Sequence, residues 1–192
     1  MMPYFEVKVA ENTFPIYSFL CNDQDLLLCN NCSLRKLKIN FNDPIVPWSV
    51  ADNADVIEYI FIGQNPGGIT YDKEPKHFAF GLGSGKELVK ILHTENILNR
   101  SYITNLVKCR IDTPYPNEKD IQACSSHLKD ELFHLKHIKK IFSLGKFTQA
   151  SIIKLGIESI YLPHPGSFFH NIKMKDIFIS TLQKSIITTK GT

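Results

Sequence analysis

A tight polar loop after an apolar run carries side chains that could do chemistry. The run Val56–Ile62 is apolar apart from one glutamate, and the loop reads Gly63-Gln64-Asn65-Pro66-Gly67-Gly68. In an open α/β sheet ligands bind beyond the carboxyl ends of the strands, so Gln64 and Asn65 are expected at a ligand site. The glycines would let a ligand approach the backbone closely. An ordinary strand-to-loop turn is the alternative, because Asn-Pro and Gly-Gly are common turn dipeptides.

Four of the five cysteines are spaced as two pairs that could ligate a metal. Cys29 and Cys32 form a C-x2-C pair, and Cys109 and Cys124 follow much later. A helix capped by Asn117 is expected to turn Cys124 inward, where it could meet Cys109. Core packing also explains each single cysteine, and four thiolates do not by themselves distinguish zinc from iron.

The elements that must position these residues alternate between strands and helices. Apolar runs predict strands at 56–62, 101–107, 140–145 and 159–162, and apolar residues at helical spacing predict helices between and after them, the last from about 173 to 187. The alternation predicts an α/β/α sandwich on a central four-stranded parallel sheet. The loops at 63–68, 105–110 and 163–169 all follow strands, so they should gather at one edge of that sheet.

The composition fits one soluble domain spanning residues 1–192. The chain is 43% hydrophobic and 21% charged, and its net charge of +3 is too small to establish a nucleic-acid partner. There is no apolar run long enough for a membrane span, and the first residues lack the features of a signal peptide. We therefore expect an intracellular protein, in the cytoplasm or nucleoid, without a membrane partner. Residues 1–28 show no firm period and are assigned loosely to an N-terminal extension.

Several short motifs follow one another between about residues 29 and 170. They are Cys29-x2-Cys32, Gly63-Gln64-Asn65-Pro66-Gly67, Phe80 with Gly85, the run from Tyr102 to Arg110, Cys124, Leu144-Gly145 and His164-Pro165. In this order they resemble the uracil-DNA glycosylases and are most similar to the family 4 enzymes, which hold a 4Fe–4S cluster. The resemblance implies that Cys29, Cys32, Cys109 and Cys124 ligate such a cluster, and it leaves Cys21 aside.

The resemblance also implies an activity, the hydrolysis of the N-glycosidic bond of uracil in DNA. The products are free uracil and an abasic site, which begins base-excision repair. His164 would donate a hydrogen bond to uracil O2 as charge develops there. The Asn105 amide would pair with uracil and not with cytosine. Phe80 would stack on the base, and Gly63 would belong to the same base-binding site.

Two neighbouring residues are candidates for positioning the attacking water. Family 4 enzymes usually carry Glu-Ala where this chain has Gln64-Asn65. Asn65 is instead similar to the amide of the Gly-x-Asn-Pro-Gly loops in mismatch-specific and single-strand-selective relatives. A milder departure is Gly166, because the family commonly has serine or alanine after the His-Pro pair. Gln64 and Asn65 therefore both stay candidates.

The expected partner of this enzyme, taken as a monomer, is uracil-containing DNA, double- or single-stranded. A base inside a duplex cannot enter such a site, so the nucleotide must be flipped out and a side chain usually fills the gap. Phe168 holds the position where relatives carry a leucine. Lys108 and Arg110 flank the loops and could contact phosphates.

Two other functions are compatible with the sequence. One is a glycosylase of the same fold with another base range, such as mismatched thymine or hypoxanthine, which Asn65 suggests. The other is a non-catalytic nucleic-acid-binding module stabilised by zinc or a cluster. Base release from matched oligonucleotides, together with metal analysis, distinguishes the three.

Overall fold

The structure, a computed structural model, describes residues 5–9, 12–16, 29, 49–66, 83–109, 111 and 113–187. Six strands lie in this part of the chain: β1 (Phe5–Val9), β2 (Asn12–Ile16), β3 (Tyr59–Gly63), β4 (Ser101–Asn105), β5 (Lys140–Leu144) and β6 (Ile160–Leu162). The helices are α1 (Gly83–Thr94), α2 (Glu118–His134), α3 (Lys146–Lys154) and α4 (Ile172–Ile187). Single 3-10 turns occur at Ala54–Val56, Leu98–Arg100 and Pro165–Phe169.

A parallel sheet of four strands in the order β4-β3-β5-β6 forms the centre of the fold. All three pairings are parallel, and Gly63 at the end of β3 stands opposite Asn105 at the end of β4. The chain adds β4 on one side of β3 and β5 on the other, so the direction of winding reverses at β3. Such a reversal opens a crevice at the carboxyl ends of the strands. The predicted four-stranded parallel sheet is confirmed.

Helices cover both faces of this sheet, because side chains along each strand alternate between two separate cores. On one face α1 and α4 pack over β3 through Tyr59 and Phe61, and Phe61 stacks on Phe142 with ring centroids 4.9 Å apart. On the other face α2 and α3 pack over Ile60 and Ile62. The predicted α/β/α sandwich is therefore confirmed.

The helix that was expected to turn Cys124 inward starts and packs as the sequence indicates. Asn117 Oδ1 accepts a hydrogen bond from the Asp120 N–H at 2.9 Å, which satisfies a free donor in the first turn of α2. Cys124 is 8% exposed and Leu128 is fully buried. The cap and the apolar stripe together fix which face of α2 meets the sheet.

The amino ends of the strands are joined by a charged cluster centred on Glu58. Its carboxylate contacts Arg100 and Lys139, each at 2.9 Å. Burial opposes ionisation of this carboxyl, but the hydrogen bond from Lys139 and the charge of Arg100 outweigh it and hold the pKa of Glu58 below its usual value. Charge at this end supports three neighbouring strands and lies away from the crevice.

Two further results concern the segment near the amino end and the expected lack of a membrane span. β1 and β2 pair as an antiparallel hairpin inside the segment that was only loosely assigned. No helix in the described ranges is long and apolar enough to cross a membrane.

Candidate active site at the carboxyl edge of the sheet

The loops after β3 and β4 are joined directly to each other beyond the ends of the strands. The Leu106 N–H donates to the Gly63 carbonyl at 2.8 Å, and the Val107 N–H donates to the Gln64 carbonyl at 3.0 Å. These bonds continue the parallel ladder into the loops. Rigid backbone therefore carries the polar side chains at this edge, as a positioned site requires.

The Asn105 side chain lies against the backbone of Gly63. A Cβ atom at residue 63 would collide with Asn105 Oδ1, so glycine is the residue that leaves room for the amide here. Gly63 does not have a positive φ, and its role is therefore steric and not conformational. The structure brings these two predicted base-binding residues into contact.

The two candidate water-positioning amides are held in different ways. Gln64 Nε2 donates to the Pro114 carbonyl at 2.9 Å, which ties the loop after β3 to the segment before α2. Asn65 Nδ2 donates to the carbonyl of its neighbour Pro66 at 2.9 Å. In both residues the NH₂ group is bonded, so the amide oxygen is the atom that could accept a hydrogen bond from water.

His164 ends the segment after β6 and caps the 3-10 turn at Pro165–Phe169. Its Nδ1 accepts a hydrogen bond from the Gly166 N–H at 3.0 Å. A ring nitrogen that accepts carries no proton, so the neutral ring has its proton on Nε2 and Nε2 is a donor. Although the side chain keeps some accessible surface, desolvation by the surrounding protein lowers the pKa of His164 below the ordinary histidine value. The histidine is thus held as a neutral donor.

Gly145 at the end of β5 lies between the two halves of this site. Its φ of 95° is one that residues with a side chain rarely adopt, and a Cβ there would lie 3.4 Å from His164 Cβ. β5 separates β3 from β6, so the loop after β3 and His164 are on the order of 10 Å apart at the usual strand spacing. Apart from its chain neighbours, a Cβ at residue 145 would meet only His164 within 4 Å, so the space beside this glycine is open.

Two side chains predicted to contact DNA are placed differently from the prediction. Lys108 is 1% exposed because its ammonium pairs with Glu131 in the interior, so its side chain is not accessible for the expected phosphate contact. Phe168 is 8% exposed because its ring packs edge-on against Phe178 at 5.5 Å, so it is not available as the side chain that fills the gap. Its neighbour Phe169 is 60% exposed. In the sequence, the only indication that Phe169 could be the exposed ring was that two phenylalanines are adjacent.

Three described cysteines lie around α2 and the loop after β4. Cys124 Sγ accepts a hydrogen bond from the Lys108 N–H at 3.3 Å, and Lys108 directly precedes Cys109. Cys29 Sγ lies 3.3 Å from His127 Nε2, about one turn beyond Cys124 on the same helix. Buried thiols with a backbone N–H directed at sulfur suit an iron–sulfur ligand set. In the described ranges, however, no three or more His, Cys, Asp or Glu side chains form a metal-binding group.

Three predicted site residues fall outside the described residues. They are Phe80, Arg110 and Cys32. Their assignments stay predictions.

Comparison with known proteins shows to which family a chain with this fold and these loops belongs. The family model described as the uracil DNA glycosylase superfamily matches residues 51–184, which include β3 to β6 and every loop described above. The chain belongs to the uracil DNA glycosylase superfamily. A curated relative named Type-4 uracil-DNA glycosylase, from Sulfurisphaera tokodaii, is 30% identical over 162 residues, covering 81% of this chain and 69% of the relative. As a superfamily member, the chain carries the glycosylase fold.

Proposed function

We propose that this protein is a uracil-DNA glycosylase that hydrolyses the bond between uracil N1 and deoxyribose C1′. Membership of the superfamily and the likeness to a Type-4 uracil-DNA glycosylase support the proposal. The observation that carries it is the hydrogen bond from the Gly166 N–H to His164 Nδ1. It fixes His164 Nε2 as a donor on the edge of the sheet where a flipped base would enter.

The chemistry divides between the groups at this edge. As the C1′–N1 bond breaks, its electron pair leaves with the base and negative charge spreads to uracil O2. His164 Nε2–H donates to that oxygen. One such donor lowers the activation free energy by about 3 kcal/mol. Water adds to C1′ while the amide oxygen of Gln64 or Asn65 accepts a hydrogen bond that orients it. The proton that the water loses neutralises the departing uracil anion, so the products are free uracil and a C1′ hydroxyl at the abasic site.

Asn105 is proposed to read the base. Its amide can accept from uracil N3–H and donate to O4, whereas cytosine presents a lone pair and an amino group at those positions. The buried polar groups of the site would then be unpaired, which disfavours cytosine. Contact with Gly63 limits where the amide can lie, which supports this assignment.

Phe169 is proposed, in place of Phe168, to fill the gap left by the flipped nucleotide. It is an exposed aromatic ring on the same 3-10 turn that His164 caps. An apolar side chain inserted between base steps is a common way to keep a nucleotide out of the stack. DNA is then the substrate, and the ring would contact the duplex beside the active site.

A 4Fe–4S cluster held by Cys29, Cys32, Cys109 and Cys124 is proposed as a structural cofactor. The three described members of this set are buried or half-buried thiols, and the Lys108 N–H donates to the Cys124 sulfur. When bound, the cluster would crosslink the loop after β4, α2 and the segment around Cys29. The chemistry at uracil involves none of its atoms.

Uracil release from a defined oligonucleotide tests the proposed function. We expect single-turnover release of free uracil by the purified chain. In His164→Ala the rate of release should be about 10²–10³-fold lower, and the affinity for DNA should not change. Gln64→Ala and Asn65→Ala are compared in the same assay, and the variant with the slower chemistry identifies the residue that orients the water.

Matched oligonucleotides with mismatched thymine or hypoxanthine define the base range. Faster release of either base than of uracil would replace uracil as the substrate. A chain that binds DNA and releases no base would be a binding module, and the proposed function would then be wrong.

A further inference from the structure

A network of three buried polar side chains contacts the backbone carbonyl of Asn105. The network, called here the Lys108 network, consists of Thr104, Lys108 and Glu131, which are at most 3% exposed. Lys108 lies in the loop after β4, Thr104 precedes Asn105 in β4, and Glu131 lies on α2. No step of the proposed chemistry uses them.

The polar contacts of the network are nearly complete. Lys108 Nζ donates to Thr104 Oγ1 and to the Asn105 carbonyl, both at 2.6 Å. Thr104 Oγ1 in turn donates to Glu131 Oε2 at 2.7 Å. Lys108 Nζ lies 2.7 Å from Glu131 Oε1 as an ion pair that is not well aligned as a hydrogen bond.

The network folds the loop after β4 back on its own strand. The Lys108 ammonium reaches back to the carbonyl of Asn105, while its backbone N–H donates to Cys124 Sγ. Glu131 lies about two turns beyond Cys124 on α2. Residue 108 is thus held to α2 at both its backbone and its side chain, and it holds Asn105 in turn.

Stability alone is a poor explanation for such a network. Burying a lysine and a glutamate costs desolvation, and replacing a buried ion pair with apolar residues often leaves a fold as stable as before. What the apolar replacement could not do is fix the position of a neighbouring carbonyl. The effect is therefore expected in the geometry of Asn105.

We infer that the Lys108 network positions the base-reading amide of Asn105, so that Thr104, Lys108 and Glu131 are positioning residues for uracil recognition. The inference rests on the proposed function, since it assigns a role within that site. The network holds the Asn105 main chain through its carbonyl, and Gly63 on the neighbouring strand has no side chain and so leaves room for the amide.

Thr104→Val is the mildest test, because it keeps the shape of the side chain and removes two hydrogen bonds of the network. We expect single-turnover uracil release to slow by roughly tenfold, because misplacement of a substrate-positioning group by an ångström can lower a rate about a hundredfold. Affinity for DNA containing the abasic product should not change. The same substitution in an Asn105→Ala background should have almost no further effect, because residues that act through one another are not additive.

Ser49→Ala is the matched control at the other end of β4. Ser49 is fully buried, donates to the Ser101 carbonyl at 2.7 Å and accepts from the Ala51 N–H at 3.0 Å, so this variant also loses two buried hydrogen bonds. We expect a similar fall in melting temperature and an unchanged rate. An equal loss of rate in Ser49→Ala and Thr104→Val would show a general effect of stability and refute the positioning role.

A fully apolar variant, Thr104→Val/Lys108→Met/Glu131→Leu, removes the network without leaving an unpaired buried charge. We expect a folded protein whose uracil release falls more than in Thr104→Val alone. Parental rates in both variants, or losses that add fully to that of Asn105→Ala, would overturn the inference. A parental protein that releases no uracil would instead refute the proposed function, so the two failures are distinguishable.

Discussion

Gly63→Ala is predicted to damage recognition of the base while leaving the fold intact. Gly63 lies in β3 and does not have a positive φ, so alanine suits its backbone. At such a position alanine stabilises a protein by about 0.4–1 kcal/mol through the unfolded state. The new Cβ would collide with Asn105 Oδ1, and the next two nearest atoms, Asn105 Cγ at 3.6 Å and the Thr104 carbonyl oxygen at 3.7 Å, are at ordinary distances.

The size of the effect follows from how far the amide must move. Restoring a normal carbon–oxygen contact requires Asn105 Oδ1 to shift by about 1 Å, and a shift of that size at a positioned group lowers a rate about 10²-fold. The hydrogen bond from Lys108 to the Asn105 carbonyl opposes a matching shift of the main chain. The side chain must therefore rotate, which takes its hydrogen-bonding atoms away from the base.

Single-turnover uracil release and thermal unfolding, measured on the same preparations, test this prediction. Gly63→Ala should unfold within about 1 kcal/mol of the parent and release uracil about a hundredfold more slowly. Gly156→Ala is a control in which stability falls and the rate does not. Gly156 has a φ of +77°, which strains a residue with a side chain, and no atom lies within 4 Å of the added Cβ. This variant should lose about 1–2 kcal/mol of stability and keep the parental rate of uracil release.

Two results would refute the reasoning. One is a parental rate in Gly63→Ala, which would mean that Asn105 does not need its observed position. The other is a rate loss in Gly63→Ala that remains undiminished when Asn105 is already alanine, which would place the damage elsewhere.

Three further predictions concern the histidine, the exposed phenylalanine and the cysteines. Because the folded pKa of His164 is lowered, the unfolded state binds more protons near pH 6, so folding stability should rise with pH through that window and fall below it. Uracil release should stay level down to about pH 6.5 and decline only under more acid conditions, and a pH profile that is the same in His164→Ala would contradict this. Phe169→Ala should keep its melting temperature and slow release from duplex DNA by roughly tenfold, the loss expected for about 1–3 kcal/mol of stacking, whereas Phe168→Ala should lose about 3–5 kcal/mol of stability. Equal melting temperatures in the two variants would contradict this assignment. Cys109→Ala, prepared without oxygen, should lose both iron and stability, with Cys21→Ala unchanged as the control, and full iron content in Cys109→Ala would end the four-cysteine assignment.

The framework of the fold could be read from the sequence because it depends on local patterns. Continuous apolar runs gave β3 to β6 to within a few residues, and the Asn117 cap marked the start of α2. Val56 was expected in the strand but lies in a 3-10 turn, because the Asn53 side chain accepts from the Asp55 N–H and starts a turn before the strand. Periodicity locates an element better than it locates the end of that element.

The site was only partly predictable because burial depends on partners that lie far away in the sequence. Lys108 follows a strand and precedes a cysteine, as a phosphate-binding lysine could, and nothing near it shows that Glu131 on α2 will pair with it. Phe168 and Phe169 are adjacent and chemically identical, and the 3-10 turn decides which of them faces Phe178. The sequence motifs placed Asn105 at the end of β4 and His164 shortly after β6, and the roles of both residues stay predictions.

The contact between Phe168 and Phe178 also sets the order in which the protein can become active as it is made. The chain emerges from the ribosome with its amino end first, so β3, β4 and β5 can pair before α4 has been synthesised. The turn that carries His164 packs against both α1 and α4, and its contact with Phe178 can form only after α4 has been made. A nascent chain can therefore pair most of its sheet before the turn that carries His164 has both of its supports, and we expect base release to begin only once α4 has folded.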